Sequence, residues 1–296
     1  MIQSLMFKRE LVGELSYTIL KKYLPDAVIK KLKQSRRCVV SFSGGIDSAV
    51  VVAIMASLMA PEDVHAAMFR SFLHFPEEME RGGLFCHSLG VTLHPLPGPE
   101  LDVDEVMNNS SERCRFCKKA RGRELLEFAK GIEADLVLEG SNADDLKDAT
   151  RLGTKVLKEM PQIYSPLAEG GLSKDKVRTL AKELDISWWD EQATACLATR
   201  FPEGHPLAAA ECSRVARAEW ALRKAGFSQV RIKVLGAIAC LQVPQTLMEQ
   251  ALTRREEILE IGMKEGFHHL MLDLQGYEWG RKWIEEKDLS GRTEHI

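Results

Sequence analysis

The sequence predicts an α/β protein, a doubly wound parallel sheet followed by a smaller α/β domain. A short β-branched strand, Arg37 to Phe42, runs through a glycine turn into a long apolar helix, Ile46 to Ala60. Apolar strand patterns then alternate with helical ones at lengths typical of parallel crossovers. From Pro206 the order changes to helix, strand, strand, helix, strand, which divides the chain into domains 1–205 and 206–296.

Leu11 to Lys33 carries apolar residues at helical spacing, and Pro25 breaks it into two helices. Val64 to Phe69 is the second strand. A helix opens at Pro76, runs to Leu89 and stops at Gly90. Val91 to Leu96 is the third strand, Glu124 to Ala129 lies on a helix, and Asp135 to Gly140 is the fourth strand. Ligands of such sheets bind at the carboxyl ends of the strands. That edge gathers Ser43 to Ser48, the residues after Phe69, and Gly140-Ser141-Asn142. Ser173 caps a helix over Leu172 to Leu184, and a long polar loop follows from Ser187 to Pro206. In the second domain Leu207 to Ala225 and Leu247 to Met263 read as helices. Val230 to Leu235, Ala237 to Val243 and His268 to Leu274 read as strands, with a charged tail after Trp283.

A strand, a glycine turn and a helix N-terminus bring backbone N–H groups and the positive end of a helix dipole to one point. Gly44 and Gly45 let the backbone approach a phosphate with no Cβ in the way. The turn lacks the lysine of a Walker A loop, and it lacks G-x-G-x-x-G. Ser43-Gly44-Gly45-Ile46-Asp47-Ser48 is therefore an S-G-G-x-D-S phosphate cradle, and it resembles the pyrophosphate loop of the PP-loop ATP pyrophosphatase superfamily.

Composition excludes several classes. With 45% hydrophobic and 28% charged residues, the chain is an ordinary globular protein. Its net charge of −3 gives no reason to expect a nucleic-acid or membrane-surface partner. No apolar run approaches the ~20 residues of a membrane span, and Met1 to Glu10 lacks secretory features, so a cytoplasmic location is expected. The seven cysteines then read as thiols, metal ligands or redox groups. The eight histidines show no metal-ligand spacing and read as surface or structural.

Cys114-Arg115-Phe116-Cys117 is a C-x-x-C placed just before a helix, a spacing at which both sulfurs can share one metal or one disulfide. Neighbouring Arg113, Arg115 and Lys118 favour thiolate over thiol. Cys196 lies in the long loop and is followed by Leu197-Ala198-Thr199-Arg200-Phe201-Pro202-Glu203-Gly204. Cys38, Cys86, Cys212 and Cys240 fall on strands and helices and read as packing.

Read with the pyrophosphate loop, Cys196 to Gly204 resembles the ATP-dependent sacrificial sulfur transferases of the LarE type. The resemblance runs from about Arg36 to Lys282. It includes Glu139 to Asp145, Ser165-Pro166-Leu167, Val230 to Lys233, and Leu272 to Tyr277. It implies the adenine nucleotide alpha hydrolase-like fold and two branches of chemistry. One branch sacrifices its loop cysteine, leaving dehydroalanine. The other adds a C-x-x-C, so that three cysteines hold a 4Fe-4S cluster whose fourth iron carries sulfide. Cys114, Cys117 and Cys196 together resemble the cluster branch; a sacrificed Cys196, a zinc site and a disulfide relay are its alternatives. The chain departs from the family pattern at Asp148 to Lys155, where an aromatic and a proline are lost. It departs again at Ala239-Cys240-Leu241-Gln242, where an arginine and a carboxylate are lost.

The resemblance implies that ATP binds Ser41, Ser43, Gly44, Gly45, Asp47, Ser48, Phe69 and Gly140, with Mg2+ near Asp47. A substrate carboxylate attacks the α-phosphate, and sulfur from the Cys114, Cys117 and Cys196 site converts the acyl-adenylate to a thiocarboxylate. Asn142, Asp145, Arg151, Lys155, Arg200, Arg231 and Lys233 are the candidate substrate contacts. The implied substrate is a carboxylated pyridinium mononucleotide, precursor of the nickel-pincer cofactor, with a sulfide donor and a homo-oligomeric assembly. The competing functions are tRNA thiolation, amide-forming ligation, and nucleotide binding without catalysis.

Overall fold

The computed structural model describes residues 14–148, 156, 159–192 and 194–278. The chain divides into two units between Cys196 and Leu197. In the first, β1 (Cys38–Ser41), β2 (Val64–Arg70), β3 (Thr92–Pro97), β4 (Leu136–Leu138) and β5 (Ile163–Tyr164) form one sheet in the order β3-β2-β1-β4-β5. All four pairings are parallel. The predicted doubly wound sheet is thus present. Its central strand β1 pairs with β2 on one side and β4 on the other, at the point where the winding reverses.

Alternation along β1 sorts the two cores. Cys38 and Val40 pack with the helix α3 (Ile46–Leu58), whereas Val39 packs with Phe69, Leu125, Ala129 and Val137 on the opposite face. Beyond its polar first turn the α3 helix is apolar all round because it is buried all round, from Ala49 to Ala56. Cys38 and Cys86 lie in the first of these cores, and burial pushes both thiols up to about 12, as fits inert packing residues.

Pro25 separates α1 (Glu14–Tyr23) from α2 (Asp26–Lys33). The helix α4 (Pro76–Leu89) ends on Gly90 in the left-handed region. After the short α5 (Asp104–Met107), the structure corrects the sequence reading. The next helix, α6, spans Arg113–Gly131, so the C-x-x-C lies in its first two turns rather than before it. Only Gly122, Leu125 and Ala129 of that helix are buried, so its polar first half shows no apolar period to read. The two-residue β5 also escaped prediction, being too short to carry a pattern.

The second unit holds α10 (Ala209–Lys224) and a three-stranded sheet of β6 (Arg231–Leu235), β7 (Ile238–Gln242) and β8 (His269–Leu272). The β6–β7 pair is antiparallel, and β8 adds parallel to β7. The single helix expected over Leu247 to Met263 is two, α11 (Met248–Thr253) and α12 (Arg255–Lys264). Arg254 leaves helical geometry at ψ 26°, and its guanidinium lies 5.0 Å from the Phe227 ring centroid. Among the described residues, no helix is long and apolar enough to cross a membrane.

Candidate active site

The glycine loop is built to hold its shape. Ser43 N–H donates to Ser48 Oγ at 3.1 Å, Ser48 Oγ–H donates to the Gly45 carbonyl at 3.0 Å, and Gly45 N–H donates to Ser43 Oγ at 3.3 Å. Gly44 sits at φ +77°, where a Cβ would also meet the Glu78 carbonyl oxygen at 3.1 Å. The first bond of α3 runs from Ala49 N–H to the Gly45 carbonyl. The N–H groups of Ile46, Asp47 and Ser48 therefore have no acceptor within the helix and stand at its positive end. Ser41 ends β1 at the base of the loop, and Phe69 is buried near the end of β2.

The segment after β4 presses on this loop. A Cβ on Gly140 would lie 2.7 Å from Ser48 N and 3.0 Å from Ser48 Cα, so only glycine fits. Asn142 caps α7 (Ala143–Lys147) by accepting from Asp144 N–H and Asp145 N–H, and its Nδ2 donates to Asp47 Oδ1 at 3.3 Å. Asp145 closes the reciprocal half of that cap, accepting from Asn142 N–H at 3.0 Å. Asn142 thus reaches the loop directly, while the Asp145 carboxylate serves the cap.

Two residues that sequence reasoning missed complete this edge. Lys174, at the start of α9 (Lys174–Glu183), which follows the short α8 (Pro166–Glu169), places Nζ 2.5 Å from Asp47 Oδ2. Glu139 is buried and accepts from Ser141 N–H at 2.9 Å, Ser141 Oγ at 2.8 Å and Ser165 Oγ, and it pairs with Lys118 Nζ at 3.2 Å. Burial opposes the Glu139 anion, but Lys118 and these donors outweigh it and hold the carboxyl below its usual range. Lys118 follows Cys117 directly, so this ion pair ties the end of β4 to the cysteine-bearing helix.

Cys114, Cys117 and Cys196 are free thiols. Cys196 lies within electrostatic reach of both others, so an anion on one raises the cost of an anion on the next. Burial pushes the Cys114 thiol up, though the residue presents surface to solvent. It pushes Cys117 up to about 12. The sequence expectation that the neighbouring cations favour thiolate is thereby corrected. Arg113 and Arg121 do lower the two thiols, but desolvation is the larger effect. Among the described residues, no group of three or more His, Cys, Asp or Glu is arranged to hold a metal ion.

In the second unit, Arg200 is fully buried and grips Glu219 with two bonds of 2.9 Å, Nε to Oε1 and Nη2 to Oε2. Arg223 and Arg231 approach the same carboxylate at 3.4 Å and 3.9 Å. Lys233 Nζ donates to the Thr199 carbonyl at 2.6 Å. Burial, then Arg200, lowers the Arg231 pKa, as fits a cation crowded by cations. Arg200, Arg231 and Lys233 are thus brought together around Glu219 and Thr199. Arg151 and Lys155 lie outside the described residues.

Comparison with known proteins agrees with this anatomy. The asparagine synthase family model matches residues 20–81, the stretch that contains β1, the glycine loop and α3. Pyridinium-3,5-bisthiocarboxylic acid mononucleotide synthase of Lactiplantibacillus plantarum is 30% identical over 254 residues, 86% of this chain and 91% of that protein. An uncharacterized protein of Synechocystis sp. is 31% identical over 247 residues, 83% of this chain and 91% of its own length. One from Methanocaldococcus jannaschii is 24% identical over 249 residues, 84% of this chain and 94% of its own. With its glycine loop at the reversal of a parallel sheet and a named relative matched along most of its length, the chain belongs to the LarE family of the PP-loop ATP pyrophosphatase superfamily.

Proposed function

We propose that the protein is an ATP-dependent sulfurtransferase that adenylates the carboxylate of a pyridinium mononucleotide and converts it to a thiocarboxylate. What supports this reading is that Cys196 lies within electrostatic reach of Cys114 and Cys117 in the unit that holds the phosphate loop, with Lys118 and Glu139 joining the cysteine-bearing helix to the end of β4.

In the first stage the loop N–H groups and the α3 dipole receive the departing pyrophosphate. Lys174 adds a cation there, since its ammonium already lies against the loop residue Asp47. The carboxylate of Asp47 is the kind of hard oxygen donor that Mg2+ takes, and Mg2+ would supply charge neutralisation across the phosphates. A substrate carboxylate oxygen bonds to the α-phosphorus, the bond to pyrophosphate breaks, and an acyl-adenylate remains. In the second stage a sulfur anion attacks the acyl carbon and AMP leaves with the bond's electrons.

Cys114, Cys117 and Cys196 would hold a 4Fe-4S cluster. Three soft thiols are the donor type such a group takes, and the group would supply sulfide from an iron without a protein ligand. In the cluster-free chain, burial keeps Cys114 and Cys117 protonated, so loading iron would release protons. Arg231 and Lys233 would take the substrate's phosphate, with Arg200 and Arg223 adding positive charge beyond what Glu219 neutralises.

Anaerobic reconstitution followed by iron and sulfide analysis tests the reading, together with ATP-dependent release of pyrophosphate. Wild-type protein should bind iron and sulfide, and Cys114→Ala, Cys117→Ala and Cys196→Ala should not. No iron in the wild type refutes the cluster. Loss of hydrogen sulfide from Cys196 after turnover, seen by mass spectrometry, would assign sacrifice instead.

A further inference from the structure

Beneath the cysteines lies a polar cluster that this reaction scheme leaves unused. Arg121 follows Cys117 by four residues on α6, which puts both on one face of the helix. Its Nε donates to Glu100 Oε2 at 3.0 Å, and its Nη2 donates to Glu100 Oε1 at 2.5 Å and to His74 Nε2 at 3.0 Å. A guanidinium can only donate, so His74 Nε2 must be the unprotonated nitrogen and Nδ1 carries the hydrogen. Nδ1–H donates to Ser71 Oγ, with the two heavy atoms 3.2 Å apart, and Ser71 in turn hydrogen-bonds Glu100. The cluster is a closed ring of four side chains: Arg121, Glu100, Ser71 and His74.

Everything about the ring fixes the guanidinium. The Glu100 side chain is fully buried. A Cβ on Gly98 would lie 2.9 Å from Glu100 Oε1, so glycine there leaves room for the carboxylate. The Phe69 ring centroid lies 5.3 Å from Arg121 Cζ. Burial opposes the Glu100 anion, but Arg121 prevails and holds it ionised, while burial and then Arg121 push His74 down to about 3, leaving it neutral. The electrostatic partners of Arg121 include Cys117 and Cys196 as well as Glu100.

We propose that Arg121 is a positioning residue of the sulfur site: a guanidinium locked by Glu100 and His74 that holds a permanent positive charge beside Cys117 and Cys196 and draws an anionic sulfur species to them. The proposal rests on reading the three cysteines as the place where sulfur is handled. It does not require a cluster, because the charge acts on any anion approaching the thiols. Mobile surface cations such as Arg113 and Arg115 would be weakened by solvent and salt, whereas a clamped and largely buried charge is not.

The test compares two thiol reagents on the full-length, iron-free protein, with labelling of Cys117 and Cys196 followed by peptide mass spectrometry. One reagent is a doubly anionic aromatic disulfide, 5,5′-dithiobis(2-nitrobenzoate), and the other is neutral 4,4′-dithiodipyridine. Both react with the same thiolate, so the ratio of their rates cancels changes in thiolate fraction and reports the local field. Arg121→Gln should lower the anionic-to-neutral ratio by about threefold to tenfold, and Arg121→Lys should retain most of it. Glu100→Gln removes the compensating anion and should raise the ratio. A structural role alone would move both variants in the same direction. An unchanged ratio in Arg121→Gln, or a fall in Glu100→Gln, overturns the proposal. If Arg121→Gln does not fold, the sign of the Glu100→Gln effect decides alone. Wild-type protein that binds no iron would remove the cluster and leave this measurement standing.

Discussion

Replacing Glu219 with alanine removes the carboxylate that Arg200, Arg223 and Arg231 share. Both Arg200 and Glu219 are fully buried, so the variant strands a guanidinium with no solvent to take it. Removing one member of such a pair costs about 3–5 kcal/mol. The second unit has about 100 residues, for which total stability is about 5–15 kcal/mol. At about 4–8 °C per kcal/mol, the thermal midpoint should fall by at least about 12 °C. Circular dichroism across a urea series measures the loss. Glu219→Gln keeps the volume and some hydrogen bonding and should lose less. With the anion gone and the cations retained, it should also gain more from excess inorganic phosphate than wild type does. The pH dependence carries a sign of its own. Glu219 titrates below its ordinary value in the folded chain, because Arg200 and Arg231 outweigh burial. Its contribution is therefore present above the unfolded carboxyl value, about 4.3, and is lost as pH falls through the depressed folded value. The gap between wild type and Glu219→Gln should narrow below about pH 4. A stability for Glu219→Ala within about 0.5 kcal/mol of wild type would refute the view that this cluster holds the unit together.

Gly140→Ala drives a Cβ to 2.7 Å from Ser48 N, and should abolish ATP–pyrophosphate exchange and the thermal shift given by ATP. Retained exchange would show that the loop yields. Lys174→Met should cost about 1–2 kcal/mol of stability, since the pair is mostly buried but Asp47 keeps its bond from Asn142, and it should slow pyrophosphate release by about 100-fold. Weaker ATP binding with an unchanged rate at saturation would instead mean that Lys174 serves ground-state affinity. Lys118→Met leaves Glu139 buried without its cation. After discounting for the partly exposed lysine, it should cost about 1–2 kcal/mol in urea denaturation, a loss that shrinks as acid protonates Glu139.

The parts of the molecule that were legible in the sequence are those dictated by local pattern. The strand–glycine–helix unit at Cys38 to Leu58 is contiguous, and its apolar residues, positive-φ glycine and buried helix each have a local cause. Parallel winding followed from strands separated by helices, and that winding alone put Gly140 and Asn142 beside the loop. The helix α6 was misjudged because its first half buries little, so no period marks where it begins.

What stayed hidden was the pairing of charges. Lys174 and Asp47 are 127 residues apart, Arg121 and His74 are 47 apart, and Glu139 and Lys118 are 21 apart. Nothing in the neighbourhood of any one of them announces its partner. The same blindness shaped the reading of Arg200. As a loop arginine after Cys196 it looked like a substrate grip, yet the structure spends two of its bonds on Glu219. That buried pair fixes where Arg231 and Lys233 stand, so the sequence motif marks the foundation of the cation cluster, and its outer members follow on a strand some thirty residues later. Electrostatic partners in the sulfur site obey the same rule. The C-x-x-C was visible as a motif, but burial keeps its thiols protonated, and the cation that best offsets that burial at Cys117 is Arg121, one turn further along the helix. Spacing identified the sulfur atoms, and tertiary packing determines the charge they meet.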